Sequence, residues 1–174
     1  MTRLILVNGV PASGKSTVAR AIAEAGGWPL LTLDTIKEAF FAHLGTGDRD
    51  YNRLLGKASY QAMFALAADF PQTMTVVMDA WFGFQPLEVL TGHLARAGIG
   101  DVAQVWCHAP PEEIGRRYLQ RVGQRSAGHL GPDYVPELIA LAGIAKPLGG
   151  FATFESDTTA PFDGAGFTAW LSRL

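Results

Sequence analysis

GVPASGKST, residues Gly9 to Thr17, follows a short apolar run, Leu4-Ile5-Leu6-Val7, and a polar Asn8. It matches G-x-x-x-x-G-K-[ST] without a gap, and the chemistry accounts for each fixed residue type. Gly9 and Gly14 let the backbone turn tightly and aim successive N–H groups into a concave anion site. A helix opening near Lys15 adds the positive end of its dipole. Lys15 is expected to reach the β- and γ-phosphates of a nucleoside triphosphate, and the Ser16 hydroxyl to ligate Mg²⁺. Gly9, Pro11, Ala12, Ser13, Gly14, Lys15, Ser16 and Thr17 are therefore the expected nucleotide-binding residues. The motif leaves open whether the phosphate passes to another molecule or to water.

Outward from this loop, apolar runs at Leu4–Val7, Leu30–Leu33, Thr73–Met78, Val102–Cys107 and Phe151–Phe154 read as strands. Between them, Val18, Ala21, Ile22 and Ala25 share one helix face, which Gly26-Gly27 stops; Ile36, Ala39, Phe40 and Leu44 form a second stripe. A helix from about Arg53 carries Leu54, Leu55, Ala58, Ala62 and Ala65, and Pro86 opens another with Leu87, Leu90 and Leu94. Phe167, Trp170, Leu171 and Leu174 mark a last helix. Continuous apolar strands separated by helices predict an α/β domain, with one parallel sheet covered on both faces. No repeat, low-complexity tract or linker interrupts the pattern, so residues 1–174 are expected to form one domain.

The 174 residues are 48% hydrophobic and 17% charged, with a formal net charge of −2. A chain of this length buries roughly 70% of its unfolded surface. Its weak net charge disfavours a whole-protein field that recruits nucleic acid or an anionic membrane. Cys107 is the only cysteine, which precludes an intrachain disulfide and a cysteine-based metal site; it reads as a small core residue. No apolar run has the length of a secretory h-region or a membrane span, so a cytoplasmic protein is expected.

No N-K-x-D tetrapeptide reads guanine, no L-S-G-G-Q marks a transporter ATPase, and the chain is too short for a remodelling ATPase with its helical lid domain. A compact phosphotransferase remains, and three features favour it. Asp34 in Leu31-Thr32-Leu33-Asp34 ends the second strand at the carboxyl edge, where it can take the proton of an attacking acceptor hydroxyl; a helix N-cap is the structural alternative. Lys37, one turn on, can hold an acceptor group or a phosphate. Asp79 closes the apolar run Val76-Val77-Met78 and is expected to face Mg²⁺, and Trp81 and Phe84 either wall an acceptor pocket or fill the core. Arg117, Arg121 and Arg125 recur every four residues and lead into a flap of turn-forming residues, a lid at about 122–133. Arginines on such a lid, Arg121 and Arg125 above all, neutralise a transferring phosphoryl group and exclude water; the alternative is a solvated helix face. His43, His93, His108 and His129 show no metal spacing.

Together these residues resemble the small P-loop kinases of the chloramphenicol phosphotransferase-like and zeta-toxin-like group, AAA-type kinases that are also similar to shikimate, gluconate and polynucleotide 5′-kinases. Beside the phosphate loop, LDTIKEAFFAHLG (Leu33–Gly45) and CHAPPEEIGRRYLQR (Cys107–Arg121) carry the likeness. The resemblance implies a three-layer P-loop NTPase fold, a five-stranded parallel sheet in the order 2-3-1-4-5 with an arginine-bearing lid over ATP and Mg²⁺. It implies that Asp34 activates the acceptor hydroxyl and that Asp157-Thr158 passes the adenine, with Arg117 also on the nucleotide. Two departures stand out. Lys37 occupies the place of the arginine in the D-x-x-R of polynucleotide kinases, and a lysine cannot clamp a phosphate bidentately. The D-x-D and Gly-Gly-Gly loop of shikimate kinases are missing. The expected activity is transfer of the γ-phosphate of ATP to a hydroxyl of a small molecule, by likeness an antibiotic or other metabolite. A polynucleotide 5′-hydroxyl or nucleotide-sugar kinase, and an ATP-gated binding module that transfers nothing, are the alternatives. Oligomeric state stays open.

Overall fold

The computed structural model describes residues 3–174. In chain order they form β1 (Arg3–Asn8), α1 (Lys15–Gly26), β2 (Leu30–Thr32), α2 (Leu33–Leu44), α3 (Arg49–Ala68), β3 (Thr75–Ala80), α4 (Leu87–Arg96), β4 (Asp101–His108), α5 (Pro111–Val122), α6 (Val135–Ile144), β5 (Ala152–Asp157) and α7 (Gly164–Leu171), with short 3-10 turns at Phe82–Phe84 and Pro132–Tyr134. All strand pairs are parallel, and the sheet runs β2-β3-β1-β4-β5. β1 therefore lies at the centre, and the phosphate loop leaves its carboxyl end.

The central position explains why β1 is apolar throughout. Leu4 and Leu6 face Tyr60, Met63 and Phe64 of α3 and Leu90 and Leu94 of α4. Ile5 and Val7 face Val18 and Ile22 of α1 and Phe167 and Leu171 of α7. All four are fully buried, each worth about 1.5–3 kcal/mol over an exposed side chain. A third cluster roofs the carboxyl edge, where Val10 and Ala12 of the phosphate loop meet Ile114 and Tyr118 of α5 and Val135 and Leu138 of α6.

One polar network runs through the sheet. The Gln104 amide oxygen accepts from Asn8 Nδ2 (2.9 Å) and Leu148 N (3.0 Å), and its nitrogen donates to Thr153 Oγ1 (2.8 Å) and Leu148 O (3.2 Å). Asn8 Oδ1 in turn accepts from Phe82 N at 3.0 Å. Both buried amides are thereby satisfied, as an interior of low dielectric requires. They pin the end of β1 and the turn after β3, from which the site is built.

Several elements depart from the expected pattern. Helix α2 begins at Leu33, so β2 is only three residues long, and Asp34 lies in the first turn of α2 with Thr32 at the N-cap. The buried stripe of α2 is Lys37 and Phe41, with Ile36 and Phe40 half-buried and Leu44 58% exposed. Helix α3 starts at Arg49 and is capped by Asp48, whose carboxylate accepts from Tyr51 N at 2.8 Å, and it buries Leu55, Tyr60, Met63, Phe64 and Ala67 while Leu54, Ala58 and Ala65 are exposed. The alanine stripe lost to the aromatic one because Tyr60 and Phe64 remove far more apolar area from water than alanines do. Helix α1 buries Ala19 and Ala23 beside Val18 and Ile22, leaving Ala25 exposed. Helix α7 ends at Leu171, so Leu174 is exposed. Strands β3 and β5 run on to Ala80 and Asp157, which puts Asp79 one residue before a strand end. Helix α6 is an element beyond the expected set; its Val135, Leu138 and Ile139 carry helical spacing. Among the described residues, no helix is long and apolar enough to cross a membrane.

Candidate active site

Between β1 and α1 the loop doubles back with Ala12 at φ +63° and Gly14 at φ +85°. Gly14 is required twice over: its φ suits glycine, and a Cβ would stand 2.9 Å from Thr158 Cβ. A Cβ on Gly9 would likewise stand 2.5 Å from the Cys107 carbonyl oxygen. No side chain caps the N-terminus of α1; the Thr17 amide donates to Gly14 O at 3.1 Å, and the Lys15 and Ser16 amides with the positive dipole end remain for an anion. Lys15 lies over this loop, its Nζ 3.5 Å from Val10 O. Burial pushes the Cys107 thiol up to about 12, in keeping with a core residue.

Asp79 on β3 is paired in register with Val7 of β1 and Thr32 of β2 and is only 2% exposed. Burial pushes its carboxyl above the ordinary value, against the opposing pull of Lys15 and a hydrogen bond from Ser16. Its Oδ1 is buried and has no partner. A buried carboxylate oxygen left unpaired beside a hydroxyl is a hard-oxygen donor set of the kind that Mg²⁺ takes together with phosphate oxygens and water. Ser16 and Asp79 thus fit the ion. Among the described residues no group of three or more His, Cys, Asp and Glu could hold a metal without such outside ligands.

Asp34 reaches the same carboxyl edge from the first turn of α2. Burial pushes its carboxyl up, but Lys15, Arg125, His129 and Lys37 outweigh this and hold it below the ordinary value. About half of its side chain is still exposed, and its Oδ2 accepts from Arg125 Nη2 at 3.2 Å. Lys37 is turned inward, 8% exposed, with Nζ donating to Asn52 Oδ1 at 2.5 Å and lying 5.4 Å from the Phe41 ring centroid. Burial lowers its pKa, and Asp34 partly restores it.

Arg117 and Arg121 lie on α5 and Arg125 three residues past its end, and the three part company. Arg117 is clamped to its own helix and to the loop after β5: Nε donates to Glu113 (2.7 Å), Nη1 to Thr158 Oγ1 (2.9 Å) and Nη2 to Thr158 O (3.0 Å). Thr158 Oγ1 also sits 2.7 Å from Ser13 O, so Arg117, the loop after β5 and the phosphate loop form one unit. A cavity of about 340 Å³ opens there, lined by Gly14, Thr17, Arg117, Arg121, Thr158 and Phe162 among others. Asp157 does not line it, because its carboxylate closes its own turn on Thr159 N and Oγ1. Arg125 stacks over Tyr118, 5.5 Å from the ring centroid, and bonds Asp34 and His129 Nδ1. His129 Nε2 meets Glu38 at 2.8 Å, and Asn52 Nδ2 donates to Gly128 O. Residues 123–131 are therefore fastened to α2 and α3 by contacts of Asp34, Glu38 and Asn52. Glu38, Phe41, Asn52 and Gly128 carried no motif by which the sequence could have singled them out.

Trp81 and Phe84 do not form one wall. Trp81 packs with Trp106 (centroids 6.1 Å apart) under α5 and α6, whereas Phe84 lies edge-on to Tyr60 at 5.3 Å. A separate cavity of about 280 Å³, lined by Val10, Trp106, His108, Ile114 and Glu155 among others, contains neither Asp34, Asp79 nor Lys15.

Solved structures of kinases share this architecture. A protein from Chloroflexus aurantiacus J-10-fl described as a candidate kinase is 28% identical over 99% of this chain and 97% of its own, with a TM-score of 0.80. A gluconokinase from Sinorhizobium meliloti 1021 (23% identity, 99% and 92% coverage, TM-score 0.63) has the same fold. So does the Mycobacterium tuberculosis APS kinase CysC, solved with AMPPNP and APS (18% identity, 98% of each chain, TM-score 0.62). A comparison with curated protein sequences returned no match. The sequence profile of one family matches residues 4–134, from β1 to the 3-10 turn at Pro132–Tyr134, and on that match the chain belongs to the AAA domain family, here with the fold of P-loop kinases.

Proposed function

We propose that the protein is a kinase that moves the γ-phosphate of ATP to a hydroxyl group of a small molecule, within the chloramphenicol phosphotransferase-like and zeta-toxin-like group that its Asp34-x-x-Lys37 pair and arginine lid resemble. The carrying observation is the Arg125–Asp34 pair: an ionised, half-exposed carboxylate held at the edge of the phosphate site by an arginine of the lid. A nucleotide-gated switch has no use for a carboxylate so placed.

The chain's own groups divide the work. The α1 amides and Lys15 bind the phosphate tail, and the Arg117–Thr158 cavity accepts the base and ribose end. Ser16 and Asp79 would hold Mg²⁺, which supplies neutralisation of charge on the phosphate oxygens. Asp34 Oδ2 is occupied by Arg125, and Oδ1 is the oxygen that takes the proton. As the acceptor oxygen bonds to the γ-phosphorus, the bond from phosphorus to the β,γ-bridging oxygen breaks, ADP leaves, and the acceptor proton passes to Asp34. Arg121 and Arg125 offset the charge on the moving group, and the seated lid excludes water.

The test is a screen of sugars, hydroxy acids, antibiotics and 5′-hydroxyl oligonucleotides for ADP release that depends on the acceptor. Asp34→Ala is expected to keep ATP binding and lose about 10²-fold or more in transfer. Lys15→Ala is expected to lose both. Unchanged turnover in Asp34→Ala would remove the assignment.

A further inference from the structure

Three segments far apart in sequence meet on one carboxamide. Asn52 lies in the first turns of α3, fixed by its own N–H on Asp48 O at 2.9 Å. Its Oδ1 accepts from Lys37 Nζ of α2, and its Nδ2 donates to Gly128 O of the lid. The amide cannot be turned over, since that would set NH₂ against an ammonium and oxygen against a carbonyl. On the lid side Gly128 is buried against Phe41, where a Cβ would stand 2.3 Å from Phe41 Cε2. The same Phe41 ring lies beneath Lys37 Nζ and edge-on to His129 at 5.8 Å. Lys37, Phe41, Asn52 and Gly128 are thus one contact unit. The two ties of the lid to α2, Arg125–Asp34 and His129–Glu38, are pairs of titratable groups; the Asn52 tie is neutral and is the one that touches Lys37.

We propose that Asn52 is a positioning residue that couples the acceptor-side lysine to closure of the lid: the lid seats on Gly128 only while the Asn52 amide is aligned by Lys37. This rests on the kinase reading for its catalytic consequence, not for the coupling itself. A lysine drawn out of line leaves Nδ2 misdirected, the lid lifts, and water reaches the phosphoryl group; a lysine in line closes the site for transfer. The small-molecule acceptor that the site favours is one whose oxygens meet Lys37 without pulling it from Asn52.

Asn52→Asp separates the two bonds, because a carboxylate still accepts from Lys37 but has no hydrogen for Gly128 O. Amide hydrogen exchange of residues 123–131 in the ligand-free protein is expected to speed up about three- to tenfold in Asn52→Asp and in Lys37→Met. Combining either with Gly128→Ala, which lifts the lid from the other side, is expected to add nothing further. In turnover assays Asn52→Asp is expected to raise ATP hydrolysis relative to transfer and to lower kcat more than it raises the KM for ATP. Lid exchange equal to wild type in Asn52→Asp overturns the proposal whether or not the protein is a kinase. Faster lid exchange with an unchanged ratio of hydrolysis to transfer overturns the catalytic coupling and leaves Asn52 a structural clasp. Faster lid exchange in a protein whose wild type phosphorylates no acceptor supports the clasp and defeats the kinase reading instead.

Discussion

Arg125 Nη2 stands 3.2 Å from Asp34 Oδ2, joining a lid residue to the first turn of α2 across 91 positions of sequence. The pair does two things at once. It ties residue 125 to α2, and together with Lys15 it counters the burial that pushes the Asp34 carboxyl up, so that the carboxyl lies below its ordinary value.

Removing that cation should move the pH dependence of catalysis. Burial still pushes the Asp34 carboxyl up in Arg125→Met, now with one cation fewer against it, so its pKa rises. The acidic limb of kcat/KM, which reports the free enzyme's base, is expected to shift to higher pH in the variant. The linked stability follows the same sign. A folded-state pKa that is lowered contributes stability above the unfolded carboxylate value, and this is lost as pH falls through the folded one. A pH–rate profile of wild type and variant checks this, and an unmoved acidic limb contradicts it.

Asp79 carries the opposite sign. Its pKa is raised by burial, so the ionised form costs the folded protein stability at neutral pH. Asp79→Asn is expected to stabilise the ligand-free protein by on the order of 1 kcal/mol, a rise of about 2–4 °C in Tm. Wild-type stability should gain from this group as pH falls through the raised value, and the variant should lack that slope. If Ser16 and Asp79 hold Mg²⁺ as proposed, the metal is expected to add to the thermal shift that ATP gives the wild type and not to that of the variant. Thermal unfolding across pH 5 to 8, with and without the metal nucleotide, reads both effects.

Thr158 ties the phosphate loop to Arg117 through a single hydroxyl. Thr158→Val keeps the shape against Gly14 and deletes the hydroxyl. It is expected to cost about 1–2 kcal/mol in denaturant unfolding and to weaken nucleotide binding, with little effect on acceptor KM. Equal nucleotide affinity by calorimetry would separate Thr158 from the binding site.

Gln104 is placed to hold Asn8, Thr153 and Leu148 together inside the sheet. Gln104→Leu leaves several buried partners unpaired and is expected to destabilise by about 3 kcal/mol or more. Since Asn8 also fixes Phe82 N, the loss should reach the turn after β3 and slow turnover below the unfolding midpoint. Normal stability in urea unfolding would show that the network is dispensable.

What could be read along the chain followed how local each signal is. The phosphate loop was legible because its chemistry is a property of nine consecutive backbones, with glycine demanded at Gly14, where φ is positive and a Cβ would meet Thr158. The apolar strand β1 announced a sheet covered on both faces, and the family likeness supplied the strand order that is observed. Helix faces were less legible: Ile36, Ala39 and Leu44 fit helical spacing as well as Lys37 and Phe41 do, and only packing chose between them. For Trp81 and Phe84 the sequence left pocket wall and core filling open, and packing sends them to different clusters, since Trp81 is extended and precedes the 3-10 turn that carries Phe84.

By itself the sequence determined a P-loop at Gly9–Thr17 and the presence of carboxylates and arginines to accompany it, because backbone turns, dipole ends and side-chain chemistry are encoded within a few residues. Only the tertiary structure decided which of them meet: Arg125 with Asp34, Arg117 with Thr158, Asn52 with both Lys37 and Gly128. Those pairings join residues 15 to 91 positions apart, and no local propensity can specify them. They arise because the central β1 places the phosphate loop at the carboxyl edge and the flanking helices then bring α2, α3 and the lid to the same rim.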